Sequence, residues 1–143
     1  MTADNHPLRR YGPAVLTTLV ISALSLFPAH FFKQVAEPLP PIPGMDKIVH
    51  ALMYAALTAA YLHVLTRDRR GRLVTVLRVA CLAAVYGIVM EICQKLFTTS
   101  RTMDPLDALA NTVGALVIAL LSLAWAHRKT GQSHGQTNRD EDA

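Results

Sequence analysis

The chain has 143 residues, 52% of them hydrophobic and 17% charged, and a formal net charge of +4 at pH 7. A soluble helical bundle of this size would carry charged stripes at helical spacing, whereas here the charged residues lie at the termini and between long apolar blocks. The composition therefore excludes a soluble bundle and predicts an integral membrane protein.

Four apolar blocks are each close to the roughly 20 residues that cross a bilayer core roughly 30 Å thick. They occupy residues 13–32, 48–66, 73–97 and 105–127. Together they predict an all-α fold, a polytopic membrane protein built as a bundle of four transmembrane helices.

The first block follows Arg9 and Arg10, as the apolar part of a signal peptide would. No small-x-small cleavage pair follows it, so we interpret it as an uncleaved span. Pro13 suits the first turn of this helix. Pro28 lies inside the block and predicts a kink, because a proline ring frees the carbonyl four residues earlier.

The distribution of basic residues predicts the orientation through the positive-inside rule. With four spans, one side of the membrane carries Arg9, Arg10, Arg67, Arg69, Arg70, Arg72, Arg128 and Lys129, and Arg78 can snorkel to it. The other side has only Lys33, Lys47, Lys95 and Arg101. Both termini are therefore predicted to be cytoplasmic, and loops 33–47 and 98–104 to face outward.

Three segments make up the predicted domain organisation. Residues 1–12 form a cytoplasmic N-terminal segment, residues 13–128 the four-helix membrane domain and residues 129–143 a cytoplasmic tail. The tail is polar and contains Gly, Ser, Gln and Asn, which predicts disorder. His127 and His134 are too isolated to form a metal site, and the sequence predicts neither a metal nor a cofactor.

Polar residues recur at helical spacing at the outer ends of the later blocks. In the second block Lys47, His50 and Tyr54 fall within about 60° of arc on a helix that turns about 100° per residue. In the fourth block a similar face, within about 80° of arc, consists of Asp104, Asp107, Asn111 and Gly114. Both helices begin on the outer side, so the two faces are expected to meet at a similar depth.

Glu91 and Gln94 approach the same level from the third block. A charge at the centre of a membrane helix costs roughly 2.5–3.5 kcal/mol on insertion scales, so Glu91 needs an explanation. Interhelical hydrogen bonding, worth about 0.6 kcal/mol per contact, is the structural alternative. It explains Tyr54 and Gln94 as well as function does. For Glu91, His50 and Asp107 together we favour a functional site.

Helix ends explain some of the other polar residues. Asp104 before Pro105 is a good N-cap with proline at the first helical position, and Asp107 three residues on resembles a capping box. Asp46 is likewise predicted to cap the second helix. Lys47 is explained equally well by snorkelling to lipid head groups.

These positions resemble the VanZ family, small bacterial membrane proteins named for a member associated with teicoplanin resistance. The resemblance covers about residues 44–121 and rests on Asp46-Lys47-x-x-His50-x-x-x-Tyr54, Glu91-x-x-Gln94 and Arg101-x-x-Asp104-x-x-Asp107-x-x-x-Asn111-x-x-Gly114. The chain departs from the family pattern at Ala51, where an aromatic residue is usual, and at Thr99-Ser100, where Pro-Gly is frequent. The resemblance implies a protein of the bacterial cytoplasmic (inner) membrane and supplies neither substrate nor mechanism.

The first function compatible with these residues is binding or handling the head group of an anionic membrane lipid or a lipid-linked envelope precursor. The resemblance adds a link to glycopeptide (teicoplanin) resistance. The ligand-binding candidates are Lys47, His50, Tyr54, Glu91, Gln94, Arg101, Asp104, Asp107 and Asn111. Among them Lys47 and Arg101 would meet phosphate. No nucleic-acid partner is predicted.

Two other functions stay open. A membrane-embedded hydrolase or transferase acting on a lipid phosphate would use Glu91, His50 and Asp107 as catalytic candidates, with Glu91 or His50 as general base. Spacing alone does not support a Mg²⁺ or Ca²⁺ ion on Glu91, Asp104 and Asp107. A proton-coupled transporter or flippase would have to be a homo-oligomer, because four spans enclose little room and the polar residues do not continue into the cytoplasmic half.

Overall fold

The computed structural model describes residues 7–27, 42–66, 72–98 and 103–141. Within these residues the chain forms four helices, α1 (Pro7–Leu26), α2 (Met45–Leu65), α3 (Arg72–Phe97) and α4 (Pro105–Glu141). The described part of the chain contains no strand. The prediction of an all-α fold is confirmed.

Three of the described helices are long and apolar enough to cross a membrane. The spans are Met45–Leu65, Arg72–Phe97 and the Pro105–Arg128 part of α4, with mean hydropathies of 1.6, 2.2 and 1.9. α1 contributes a shorter apolar stretch, Arg10–Leu26. The predicted first block continues to residue 32, but its last five residues lie outside the described part of the chain. Large apolar side chains cover the outside of the bundle, as expected against lipid, and include Leu19, Leu52, Leu82 and Leu120.

The start of α1 differs from the sequence prediction. The helix begins at Pro7, so Pro13 lies in its interior and not in its first turn. Pro7 occupies the first helical position, where a missing N–H breaks no hydrogen bond, and the leucine and arginines that follow it favour helix. α1 ends at Leu26, and the kink predicted at Pro28 lies outside the described residues.

α2 begins directly after Gly44, whose φ of 76° lies in the left-handed region that glycine adopts without strain. Gly44 is the N-cap, and no side chain caps this helix. The prediction that Asp46 is the N-cap is therefore wrong, because the turn at Gly44 starts the helix earlier and places Asp46 in its first turn. The aspartate charge there still favours the positive end of the helix dipole.

α4 continues beyond its apolar part to Glu141. The sequence predicts disorder over residues 129–143, whereas the backbone is helical up to Glu141. Gly131 and Gly135, together with the polar residues around them, give this segment low helix propensity and no apolar face, so disorder of the isolated tail stays a prediction.

α2 contacts each of the other three helices and has its most extensive contact with α4. Gly114 makes that contact close, since a Cβ atom there would collide with the backbone carbonyl of Ala51. Apolar side chains fill the space between the helices further along α2. One cluster consists of Ile21, Tyr54, Leu57, Ala83 and Ala115, and the next of Leu62, Val76, Val79, Ala80 and Ala119. The helix contacts therefore fix the relative positions of polar residues near the first turns of α2 and α4.

Candidate functional site

The start of α2, the start of α4 and the end of α3 lie at one end of the bundle, where polar residues gather. We call this group the polar cluster; it consists of Asp46, Lys47, His50, Glu91, Asp104, Asp107 and Asn111. With a rise of about 1.5 Å per residue, Glu91 lies about 9 Å before the end of α3 and His50 about 8 Å after the start of α2. The structure thus brings together the faces of α2 and α4 that the sequence predicts to meet.

Lys47 connects α2 to α4 at the exposed rim of the cluster. Its Nζ atom donates to Asp46 Oδ2 at 2.7 Å, Asp104 Oδ2 at 3.0 Å and Asp107 Oδ1 at 3.1 Å. One ammonium therefore faces three carboxylates, and snorkelling to lipid is not its main interaction. Arg101, the second cation predicted to meet phosphate, lies outside the described residues.

Asp104 has both a capping and a bridging role. Its Oδ1 atom accepts a hydrogen bond from the Leu106 amide at 2.9 Å, as expected of an N-cap before Pro105. Its other oxygen accepts from Lys47. The Leu106 hydrogen bond, followed by that from Lys47, lowers the pKa of the Asp104 carboxyl below its ordinary value. Asp104 thus fixes the start of α4 and stays ionised.

His50 lies at the point where α2, α3 and α4 meet. Its Nδ1 atom lies 3.1 Å from Asn111 Oδ1 and 3.8 Å from Glu91 Oε1. Its Nε2 atom lies 3.7 Å from Asp107 Oδ2. Because the Asn111 amide oxygen can only accept, Nδ1 donates in this contact, and Nε2 is the ring nitrogen that faces Asp107. The imidazole is therefore held by α4 and faces a carboxylate on each side.

Glu91 is almost fully buried, with 1% of its surface exposed. Neither carboxylate oxygen has a hydrogen-bond partner among the described residues. The hydroxyl of Tyr54 and the Nδ2 atom of Asn111 are also buried and unpaired there. An unpaired buried polar group costs about 1–3 kcal/mol, and a charge costs more. The buried part of the cluster therefore contains polar atoms without hydrogen-bond partners, and it can accept a ligand, a cation or a proton.

Gln94 and Tyr54, both candidates from the sequence, lie at the border of the cluster. Gln94 donates through Nε2 to the Ser25 carbonyl of α1 at 2.9 Å, so it joins α3 to α1. Tyr54 lies one turn after His50 with its ring centroid 6.0 Å from that of Tyr86. Interhelical hydrogen bonding therefore explains Gln94. Tyr54 packs against Tyr86 at the inner side of the cluster.

Gly87 is a residue that the sequence reasoning missed. A Cβ atom there would lie 3.1 Å from both Asn111 Nδ2 and Tyr54 Cε1. Gly87 stands one turn before Glu91 on α3, so its missing side chain leaves room for Asn111 and Tyr54 beside the carboxylate. A lone glycine inside an apolar helix was the available signal, since such glycines usually have a packing reason.

Two groups of residues have the spacing to hold a metal ion. In the first, single donor atoms of His50, Glu91 and Asp107 lie within 4.8 Å of one another. The second group consists of Asp46, Asp104 and Asp107. Lys47 Nζ bonds to all three of those carboxylates, so an ammonium already satisfies the second group. Asp107 belongs to both groups, so in the first group the carboxylate without a hydrogen-bonded cation is that of Glu91.

Comparison with known proteins supports the resemblance seen in the motifs. A family model described as VanZ/LLP1 matches residues 7–126, which include all of α1 and all of the polar cluster. No curated protein and no solved structure gives a significant match.

Proposed function

The chain belongs to the VanZ-like family, and we propose that its polar cluster binds the head group of an anionic lipid or a lipid-linked envelope precursor at the outer surface of the bacterial cytoplasmic membrane. The observation that carries this proposal is the gradient of exposure across the cluster, from 58% for the Asp46 side chain to 1% for that of Glu91. A polar head group can follow this gradient inward from the membrane surface while its lipid chains stay against the apolar helix exteriors.

The charge of the cluster restricts the kind of head group. The cluster contains four carboxylates, which are those of Asp46, Glu91, Asp104 and Asp107, and Lys47 is the only lysine or arginine among its described members. A bare phosphate would be repelled by this balance. The favoured ligand therefore carries hydroxyl or amine donors for the carboxylates next to its phosphate, which Arg101 and Lys47 would meet.

The proposed orientation has both termini in the cytoplasm and the cluster in the outer leaflet. It is supported by Arg67, Arg69 and Arg70 between α2 and α3 and by Arg72 at the start of α3, because the positive-inside rule favours the cytoplasm for such a basic stretch. A single cysteine introduced by Ser100→Cys, after Cys81 and Cys93 are replaced by alanine, should react with a membrane-impermeant thiol reagent in intact cells. Labelling only after lysis would overturn the orientation.

A link to glycopeptide resistance is part of the same proposal. Glycopeptides act on envelope precursors outside the cytoplasmic membrane, so a protein that binds the head group of such a precursor there would change teicoplanin susceptibility. We expect that expression of the chain raises the teicoplanin concentration needed to stop growth, and that Glu91→Gln abolishes this effect. Equal susceptibility with and without the wild-type chain would remove resistance from the proposal and leave head-group binding to be tested directly.

Catalysis is the second candidate function, and the unpaired Glu91 carboxylate beside His50 favours it. In this alternative Glu91 or His50 is the general base of a hydrolase or transferase acting on a lipid phosphate, and Asp107 orients the imidazole. Release of phosphate from a lipid pyrophosphate by the purified protein would select the enzyme over simple binding.

Transport is less well supported by the described residues. Along α2 the polar cluster gives way to the apolar cluster of Leu62, Val76, Val79, Ala80 and Ala119. A proton-coupled transporter or flippase would therefore need a homo-oligomer to provide a polar path.

Lipid that co-purifies with the protein tests head-group binding directly. The wild-type chain, extracted in mild detergent, should retain a lipid phosphate or lipid-linked precursor that native mass spectrometry identifies. Asp107→Asn should lose this lipid, because the substitution removes a carboxylate that would accept hydrogen bonds from the hydroxyl or amine groups of the head group. Lys95→Gln is the matched control, since Lys95 is an exposed residue near the same end of α3 and outside the cluster. Equal lipid retention by Asp107→Asn and Lys95→Gln would contradict the proposal.

A further inference from the structure

His50, Glu91 and Asp107 come from three different helices and converge at the buried end of the polar cluster. We propose that they bind a divalent first-row transition-metal ion, for which Zn²⁺ is the best match. The role of the ion rests on the proposed function, because it would meet the phosphate of the head group. Its binding to the protein does not depend on that function.

The unpaired carboxylate of Glu91 is the first observation behind this site. The side chain is 1% exposed, and both oxygens lack a hydrogen-bond donor among the described residues. A buried ionised group is normally paired, hydrogen-bonded or coordinated to a metal. His50 Nδ1 does not fill this role at 3.8 Å, since its hydrogen is directed to Asn111. Glu91 therefore faces the cluster as a free ligand oxygen.

The imidazole of His50 supplies the second observation. Asn111 Oδ1 lies 3.1 Å from Nδ1 and engages that nitrogen, so Nε2 is the ring nitrogen left for a ligand, with Asp107 Oδ2 at 3.7 Å. In metal sites the second ring nitrogen of a ligating histidine commonly donates to a carbonyl or carboxylate oxygen, which fixes the tautomer. In the neutral ring the Nε2 lone pair would face the Asp107 carboxylate, and a metal ion between them would be attracted to both.

The distances suit a common ion. Donor atoms about 2.0–2.2 Å from one ion lie about 3–4.4 Å apart, depending on their angle at the metal. The 3.7 Å between His50 Nε2 and Asp107 Oδ2 lies within this range. Glu91 Oε1 lies 3.8 Å from Nδ1, so the Glu91 side chain has to rotate towards Nε2 to share the ion, and single donor atoms of the three residues already lie within 4.8 Å of one another.

The chemistry of the donors selects the ion. One imidazole nitrogen and two carboxylate oxygens suit Zn²⁺ and Mn²⁺ better than Ca²⁺, which prefers an all-oxygen shell of six to eight ligands. Three protein ligands leave a coordination position for a ligand atom, as in catalytic zinc sites. Two carboxylates also match a double positive charge, so the bound ion makes the buried end of the cluster nearly neutral.

The charge added by the ion supports head-group binding. Without it the carboxylates of the cluster outnumber its described cations, and phosphate is repelled. With it, a phosphate oxygen can approach the open coordination position while Lys47 stays bonded to the three aspartates at the rim. The ion would therefore lie where the head group meets the protein.

Zn²⁺ titration of the detergent-solubilised full chain, stripped of metal with EDTA and purified through an affinity tag without histidine, tests the inference by calorimetry. We expect about one ion per chain, and a loss of affinity of at least about 100-fold in Glu91→Gln and in His50→Ala, because each removes a ligand. Asn111→Ala should lower the affinity about 10–100-fold by releasing the ring of His50. His63→Ala is the matched control, since His63 is an exposed histidine of α2 outside the polar cluster, and it should leave the affinity unchanged.

A second readout keeps the test independent of folding defects. Co²⁺ bound to the wild-type chain should give visible absorption bands of a low-coordinate nitrogen- and oxygen-ligated ion, and Glu91→Gln should lose them while circular dichroism shows its helices intact. Absence of saturable Zn²⁺ binding in the wild-type chain would overturn the inference. So would equal affinity in wild type, Glu91→Gln and His50→Ala, which would place the ion on histidines outside the cluster.

The lipid and the metal are measured separately. Zn²⁺ binding without retained lipid would refute the proposed head-group function and leave the metal site standing. Lipid retention that EDTA does not change, in a chain that binds no Zn²⁺, would refute the metal site and leave the head-group function standing.

Discussion

Asn111 Oδ1 lies 3.1 Å from His50 Nδ1, so an amide of α4 accepts a hydrogen bond from the ring of a histidine on α2. The two residues are separated by 61 positions in sequence, and the contact exists only when α2 and α4 are packed together. It therefore couples the assembly of the bundle to the chemistry of the polar cluster.

Asn111→Ala should destabilise the folded protein by about 1–3 kcal/mol, because it leaves the buried Nδ1–H of His50 without an acceptor. The double variant Asn111→Ala/His50→Ala should lose less unfolding free energy than the sum of the two single losses, because both single variants remove the same hydrogen bond. Thermal unfolding in detergent measures the three free energies. Additive effects would show that the contact contributes nothing to stability.

Glu91→Gln should stabilise the chain measured without metal or lipid, by about 1–3 kcal/mol, because a neutral side chain of equal size replaces an unpaired buried charge. The same change should abolish head-group binding. Denaturant unfolding, together with lipid retention, gives both quantities. A destabilised Glu91→Gln chain would indicate that the carboxylate has a structural partner in the native protein.

Gln94→Leu should have the opposite effects to Glu91→Gln, with lower stability and unchanged lipid binding. It removes the hydrogen bond to the Ser25 carbonyl and should lower stability by about 1 kcal/mol, while lipid retention stays at the wild-type level. Retention normalised to folded protein separates the two effects. If retention falls as far as in Asp107→Asn, Gln94 belongs to the ligand site and not only to the contact between α3 and α1.

Gly114→Ala should weaken the α2–α4 contact, because the added Cβ atom would collide with the carbonyl of Ala51. Overpacking of this kind costs about 1–3 kcal/mol. Gly12→Ala is the matched control, since a Cβ atom at Gly12 has no atom within 4 Å and alanine raises helix propensity. The melting temperature should fall for the first variant and stay equal or rise for the second. Equal melting temperatures would show that the helices can separate locally at no cost.

Asp104 should give the protein an acid-dependent stability. Its pKa is lowered in the folded state by the Leu106 amide and by Lys47, so its contribution is complete above the unfolded value of about 3.9 and is lost as the pH falls through the lower folded value. Melting temperatures between pH 6 and pH 2.5 should therefore converge for wild type and Asp104→Asn at the acid end. A constant difference between the two proteins would show that the charge of Asp104 is not involved.

The sequence predicted most of the fold because apolar length is a strong signal in membrane proteins. The predicted α2 and α3 blocks, 48–66 and 73–97, end within one residue of the observed helices, and α4 begins at Pro105 as expected. The errors lie where local turn chemistry outweighs hydropathy. Pro7 starts α1 earlier than Pro13, and Gly44 rather than Asp46 caps α2.

The candidate site could be predicted only in part from the sequence. The spacing of polar residues shows which of them share a helix face, but it does not show which residues that face contacts. Helical offsets placed Lys47 and His50 opposite Asp104 and Asp107, and the structure brings them together. The direction of Gln94 towards α1 depends on how α3 packs, which offsets on a single helix do not contain. The contacts of Gly87 and the unpaired oxygens of Glu91 likewise follow only from the packed bundle.

The hydrogen bonds from Lys47 to Asp104 and Asp107 join residues 57 and 60 positions apart, so they can form only after α4 has reached α2. The ribosome releases α2 well before α4, so during that interval Asp46 is the only one of the three carboxylates available to the ammonium. Arrival of α4 supplies the other two and draws the start of the last helix to that of the second. A chain truncated before α4 would therefore leave Lys47 with one of its three carboxylate partners.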